Sequence, residues 1–126
     1  VRIFKSKRFA KFARKERIGN SRLCEAVADA ERGLIDADYG GGVIKQRIAR
    51  PKEGKSGGYR SIILFRRGER AFFVYGFPKS ERANIDESEE RNFKELARIL
   101  LVASDGELKK LVEGKEFAEV KCHEKD

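Results

Sequence analysis

Three consecutive glycines, Gly40-Gly41-Gly42, stand where the spacing of apolar residues changes period, and three glycines in a row cannot sit comfortably inside a helix. Before them, Leu23, Ala26, Val27, Ala30 and Leu34 recur at the helical interval behind Ser21, a suitable N-cap, while Arg22, Glu25, Asp29 and Arg32 take the opposite side. After them, Val43 to Ala49 alternates, with Ile44, Gln46 and Ile48 on one face and Lys45 and Arg47 on the other, as a strand does. The chain therefore passes from helices to strands at this point.

The flanks extend the pattern. Arg2 to Phe4 reads as a short strand, and Lys7 to Glu16 sets Phe9, Phe12 and Ala13 against Lys11, Arg14 and Lys15, an amphipathic helix broken at Gly19-Asn20-Ser21. Tyr59 to Arg66 and Arg70 to Phe77 are rich in Ile, Phe, Val and Tyr and meet through Arg67-Gly68, which predicts a hairpin. From Asp86 the helical period returns with Phe93, Leu96, Ala97, Leu100 and Leu101 on one stripe and carboxylates in the first turns, where they oppose the helix dipole. Ser104-Asp105-Gly106 interrupts it, Leu108, Leu111 and Val112 continue a short amphipathic turn, and Phe117 to Lys121 suits a last strand. The predicted order is β-α-α-β-β-β-α-α-β, an α+β class with two N-terminal helices on a mainly antiparallel sheet, C-terminal helices and a final strand. With no repeat or low-complexity linker, residues 1–126 are expected to form a single domain, and 126 residues suffice for one core.

The net charge is +8, and its excess is uneven: residues 1–83 hold 21 Lys/Arg against 9 Asp/Glu, residues 84–126 hold 8 against 12. That asymmetry points one side of the molecule at a polyanion. No apolar run approaches the roughly 18 residues of a membrane span and the N-terminus lacks an apolar signal core, so a cytoplasmic protein with no membrane partner is expected. Cys24 and Cys122, far apart and outside any CxxC, are expected to be plain thiols.

The densest chemistry lies between two predicted strands. Lys45, Arg47, Arg50, Lys52, Lys55 and Arg60 fall within sixteen residues, interrupted by Glu53 and interspersed with Gly54, Gly57 and Gly58. This predicts a basic surface on a flexible glycine loop, suited to a phosphodiester backbone; the plain alternative is a solvated sheet surface. Tyr59 and Tyr75 read as core side chains among their Ile and Val neighbours. Gly54-Lys55-Ser56 is not a phosphate-binding P-loop, because the earlier glycine it needs is Ala49 and no helix follows. The glycines at 40–42 open no helix, which excludes the dinucleotide fingerprint. One histidine, His123, and two cysteines do not make a four-ligand zinc site, so no metal and no cofactor is expected.

The run Gly41-Gly42-Val43-Ile44-Lys45-Gln46-Arg47-Ile48-Ala49-Arg50, then Gly54-Lys55-Ser56-Gly57-Gly58-Tyr59-Arg60, Phe72-Phe73-Val74-Tyr75-Gly76-Phe77 and Lys79-Ser80-Glu81-Arg82 resembles the RelE superfamily of toxins, in its HigB-like branch. The resemblance implies a RelE-like fold and a type II toxin-antitoxin toxin, an mRNA interferase that cuts messenger RNA in the ribosomal A site. It also implies a cognate antitoxin of helix-turn-helix type. By the family's motif Arg60 would contact the scissile phosphate, Lys45, Arg47, Arg50, Lys52 and Lys55 would hold RNA, and the turn after the hairpin would supply Lys79 and Arg82. Where some relatives carry an Arg and a Tyr, this chain has Ser80 and Asp86, and His123 lies beyond an added helical segment and the last strand.

Attack by a 2′-hydroxyl needs a base, cations to neutralise the phosphorane and a proton for the leaving 5′ oxygen. Arginine supplies only the second, since it stays protonated. Lys79, or Lys55, is then the expected acid/base group, with Arg60 stabilising charge and no metal taking part. The reading of a different class is a catalytically silent RNA- or protein-binding module on the same scaffold.

Overall fold

The structure, a computed structural model, describes residues 1–50 and 54–123, and of residues 54–57 the backbone alone. The elements run β1 (Arg2–Ser6), α1 (Lys7–Glu16), α2 (Asn20–Glu31), β2 (Ala37–Gly40), β3 (Val43–Arg50), β4 (Gly54–Arg66), β5 (Arg70–Pro78), α3 (Glu87–Leu100), α4 (Asp105–Glu113) and β6 (Phe117–Val120). They form a mixed six-stranded sheet of order β2-β3-β4-β5-β1-β6, in which β1 runs parallel to β5 and the other neighbours are antiparallel. The fold is α+β, as the periodicity predicts. Among the described residues no helix is long and apolar enough to cross a membrane.

Each face of the sheet carries its own core. Phe9, Leu23 and Val27 of the first two helices pack with Ile44, Ile48, Ile63 and Phe73 on one side. Ala97, Leu100 and Leu108 of the last two pack with Phe4, Val43, Ile62, Leu64 and Phe72 on the other. Coverage on both sides explains why β4 and β5 read as nearly continuous apolar runs rather than clean alternations.

Helix ends follow local chemistry. Ser6 accepts a hydrogen bond from the Phe9 amide and caps α1, whose bounds are those the sequence predicts. Asp86 caps α3 and Ser104 caps α4, each reciprocated by a glutamate three residues on, Glu89 and Glu107. These capping boxes mark both starts within the acidic C-terminal third.

Four expectations change. The glycines at 40–42 do not close a helix; α2 has already ended at Glu31, and Leu34, expected on its apolar stripe, is 60% exposed. Ala37–Gly40 is instead an unpredicted strand, with Gly41 (φ +63°) and Gly42 (φ +83°) turning it back onto β3 in a conformation other residues resist. Four residues that include Asp38 and Gly40 carry no readable period. Second, α2 begins at Asn20 behind Gly19, so Ser21 lies inside the helix.

Third, the glycines expected in a flexible loop lie in a strand: β4 begins at Gly54, which pairs with Arg50, and the register shifts between Ile48 and Arg50. At Gly58 a Cβ would lie 2.2 Å from the Ile48 carbonyl oxygen, so this glycine serves a close backbone approach rather than flexibility. Fourth, Cys24 and Cys122 are not free thiols but a disulfide between residues 98 apart in sequence, with Cα atoms 5.8 Å apart. It joins α2 to the segment just after β6, a juxtaposition that only the folded sheet creates.

Candidate functional site

The antiparallel register sets Arg47 opposite Arg60, Lys45 opposite Ile62 and Arg60 opposite Phe77, so three cations and an aromatic ring belong to adjacent strands. On this side of β3 and β4 the apolar core holds Val43, Ile62 and Leu64, and the cations lie further along the strands, toward the Arg50 end of β3. Exposure falls steeply across the group: the side chain of Arg47 is 49% exposed, that of Lys45 14% and that of Arg60 8%.

Asp36, just before β2, provides their common counterion. Its carboxylate accepts a hydrogen bond from Arg47 Nε at 3.1 Å and lies 3.3 Å from Arg60 Nε and 3.7 Å from Lys45 Nζ. Among the described residues, one negative charge thus faces three positive ones. Its backbone is placed from the opposite side of β3, where the buried Gln46 accepts from the Asp36 amide and donates to the carbonyls of Ala26 and Leu34. Gln46 stands where the alternation predicts an inward side chain, and every polar atom of its amide is used. Lys45 Nζ also donates to the Ala83 carbonyl at 3.3 Å, and the Tyr39 hydroxyl hydrogen-bonds Asn84, so the segment after β5 is fastened to β2 and β3. Burial raises the Tyr39 pKa above the usual phenol value, with Glu90 and Asp36 adding to the shift.

A second cationic group is built around Tyr75. Arg8 lies 4.4 Å and Arg82 5.7 Å from the ring centroid, Phe77 5.5 Å, and Phe93 stacks at 6.3 Å. Arg82 donates to the Tyr75 hydroxyl at 3.0 Å, to the Asn84 carbonyl at 2.8 Å and to both oxygens of Glu89, at 2.7 and 3.1 Å. That bidentate pairing holds the Arg82 pKa above its ordinary value and, with the Asp86 amide, holds the Glu89 carboxyl below the usual carboxylate range. Tyr75, expected in the core, packs half-buried against it and also carries two guanidinium groups near its ring.

The predicted site residues accordingly separate. Lys45, Arg47 and Arg60 come together. Arg50 does not join them: its guanidinium lies 4.7 Å over Tyr59, a side chain of the core beneath α1 and α2, and its Nε donates to the Tyr59 hydroxyl. Two residues beyond Ile48, it keeps the Ile48 side of β3, opposite to Arg47. Lys79 is exposed, and its amide donates to the Gly58 carbonyl at 3.4 Å, which keeps its backbone beside the β4 segment leading into Arg60. Arg82 is engaged with Glu89. Lys52 lies outside the described residues, and Lys55 is described by its backbone in β4 alone. Sequence reasoning missed Asp36, Arg8 and the part played by Tyr75, whose roles depend on neighbours remote in the chain.

A mixed sheet clad by helices on both faces, with a cation-rich end holding more positive than negative charge, defines a small α+β protein suited to a polyanion. The family described as RelE toxin of RelE / RelB toxin-antitoxin system matches residues 1–120, and the chain belongs to that family. Its members are toxins that pair with an antitoxin, and they are generally endoribonucleases. No curated protein matches the chain.

Proposed function

We propose that this protein is a ribosome-dependent mRNA endoribonuclease of the HigB-like branch, with residues 1–126 forming one toxin domain. It acts in the cytoplasm on messenger RNA in the ribosomal A site and is silenced by a helix-turn-helix-type antitoxin. The observation that carries the reading is the convergence of Lys45, Arg47 and Arg60 from two adjacent strands around one carboxylate, in a chain of the RelE toxin family.

In this reading the RNA backbone runs across β3 and β4, with Lys45 and Arg47 holding phosphates and Arg60 at the scissile one. The 2′-oxygen attacks phosphorus, its proton passes to a base, the bond from phosphorus to the 5′ oxygen breaks, and that oxygen leaves with a proton. Arg60 neutralises the phosphorane. Lys79 is the first choice for the proton-transfer group because its backbone bond to Gly58 keeps it near Arg60, with Lys55 the alternative. Arg82, tied to Glu89 and Tyr75, braces the segment carrying Lys79 rather than holding RNA.

The test is messenger cleavage on programmed ribosomes. The expected outcome is cutting that persists in chelator, yields a 2′,3′-cyclic phosphate or its 3′-phosphate product, and stops when the nucleotide 5′ of the scissile bond is 2′-deoxy. Cutting that needs added magnesium, or that continues on the deoxy substrate, rejects this chemistry. A binding module without catalysis draws support from one observation, the near-complete burial of Arg60 against Asp36; it predicts RNA association with no cleaved product in the same assay.

A further inference from the structure

We propose that the Asp36 carboxylate is a built-in substitute for a substrate phosphate, and that RNA enters the Lys45–Arg47–Arg60 cluster by displacing it. The inference rests on the reading of this cluster as the RNA-phosphate site. Arg60 is only 8% exposed, its Nε lies 3.3 Å from the Asp36 carboxylate and its Nη1 donates to the Tyr59 carbonyl at 3.5 Å, so little of the guanidinium is open to a phosphodiester while Asp36 stays in place. A carboxylate and a phosphodiester both present anionic oxygens to guanidinium donors, so replacing one by the other keeps Arg60 paired throughout. Release of a buried charge without replacement would cost far more.

The surroundings suit an exchange. Asp36 follows a stretch that is neither helix nor strand, after Gly33 at φ +85°, while its own amide is fixed by Gln46 Oε1 at 3.2 Å. The backbone therefore stays and the carboxylate leaves by side-chain rotation. Arg47, half-exposed and bonded to the same carboxylate, is where an incoming phosphate first competes, and Lys45 and Arg60 follow as Asp36 withdraws. The resting protein thus holds its cations gathered but shut, and the apparent affinity for RNA is lowered by the fraction of molecules that are open.

The experiment measures binding of a short, uncleavable 2′-O-methyl RNA to the full chain across a salt series. It compares the wild type with Asp36→Asn, Asp38→Asn and Arg47→Glu. Asp38 is the matched control: it is exposed, caps the Gly40 amide at 2.8 Å and changes net charge by the same amount. Asp36→Asn should bind about tenfold tighter, with the salt slope of the wild type, because the same three cations meet phosphate in both complexes. Asp38→Asn should stay within about twofold of wild type, because its exposed carboxylate is screened and engages the Gly40 amide.

Equal behaviour of the two asparagine variants, or weaker binding by Asp36→Asn, overturns the exchange. If instead Arg47→Glu leaves RNA binding untouched, the reading of the cluster as the RNA face fails, whatever Asp36 does. Should Asp36→Asn not fold, the wild type decides: titration with the same RNA should move the Asp36 carboxyl carbon resonance and the Arg60 Nε resonance together. An Asp36 signal that stays fixed while Arg47 responds rejects displacement.

Discussion

Two groups of cations flank the exposed end of this sheet, and they are balanced differently. At Tyr75, one carboxylate, Glu89, serves one arginine, Arg82, through two hydrogen bonds, and the same carboxylate completes the capping box of α3. At Asp36, one carboxylate serves Lys45, Arg47 and Arg60 with contacts of 3.1 to 3.7 Å, and among the described residues positive charge remains in excess. The Arg82–Glu89 pair is neutral in itself and ties a loop to a helix, while Arg8 rests on the Tyr75 ring beside it. The Asp36 arrangement is incomplete until another anion arrives. A high density of arginine therefore says little by itself; the ratio of cations to carboxylates within bonding distance separates a brace from a site.

The largest expected effect tests the incomplete group. Arg60→Ala should lower messenger cleavage by about 10²-fold or more and abolish growth arrest on conditional expression, while Arg60→Lys should recover little because the planar fork is lost. A folded, fully toxic Arg60→Ala protein would remove the cluster from catalysis. Lys79→Ala comes next: about 10²- to 10⁴-fold slower single-turnover cleavage if the side chain transfers the proton, and only a few-fold if it is one of several charge contacts.

Arg47→Glu should weaken RNA association and flatten its salt dependence, by about 0.7 in slope for the lost cation, read from binding isotherms at several ionic strengths.

The brace should respond in stability instead. Glu89→Gln is expected to cost about 1 kcal/mol in urea denaturation with RNA affinity nearly unchanged. Because Arg82 holds the Glu89 carboxyl below its unfolded value, the wild-type contribution is fully present above the unfolded pKa of about 4.3. It is lost as pH falls through the lower folded value. The Glu89→Gln protein should therefore lose less stability than the wild type below about pH 4.

Arg50→Ala should have the smallest effect, a loss of about 0.5–1 kcal/mol from the Tyr59 stack and little change in RNA binding. A large loss of RNA affinity there would mean that both sides of β3 meet the nucleic acid.

Much of the architecture was legible in the chain itself, because periodicity reports which residues share a face. Helix α1 has the predicted bounds, α3 starts just after Asp86, where the helical period and its first-turn carboxylates return, and Lys45 and Arg47 lie on one side of β3 with Ile44, Gln46 and Ile48 on the other. Local chemistry suffices for such features, since caps and alternation involve residues only two to four apart. The motif run from Gly41 to Arg82 likewise led to the RelE toxin family that residues 1–120 match.

What spacing could not reveal is which distant residues meet. The β2 strand exists because two positive-φ glycines turn four unremarkable residues onto β3. Arg50 keeps the Ile48 face of β3, but only the fold brings the Tyr59 ring beneath it. Cys24 lies beside Cys122 because β6, which Cys122 follows, pairs with β1. Asp36, an ordinary acid in a short connection, becomes the counterion of three cations because Gln46 fixes its backbone beside β3 and the register sets Arg47 against Arg60. Charge and hydrophobic period are properties of neighbours in sequence, and they determined the fold class and the basic face. Pairing of charges is a property of neighbours in space, and only the sheet register decided which cations remained in excess.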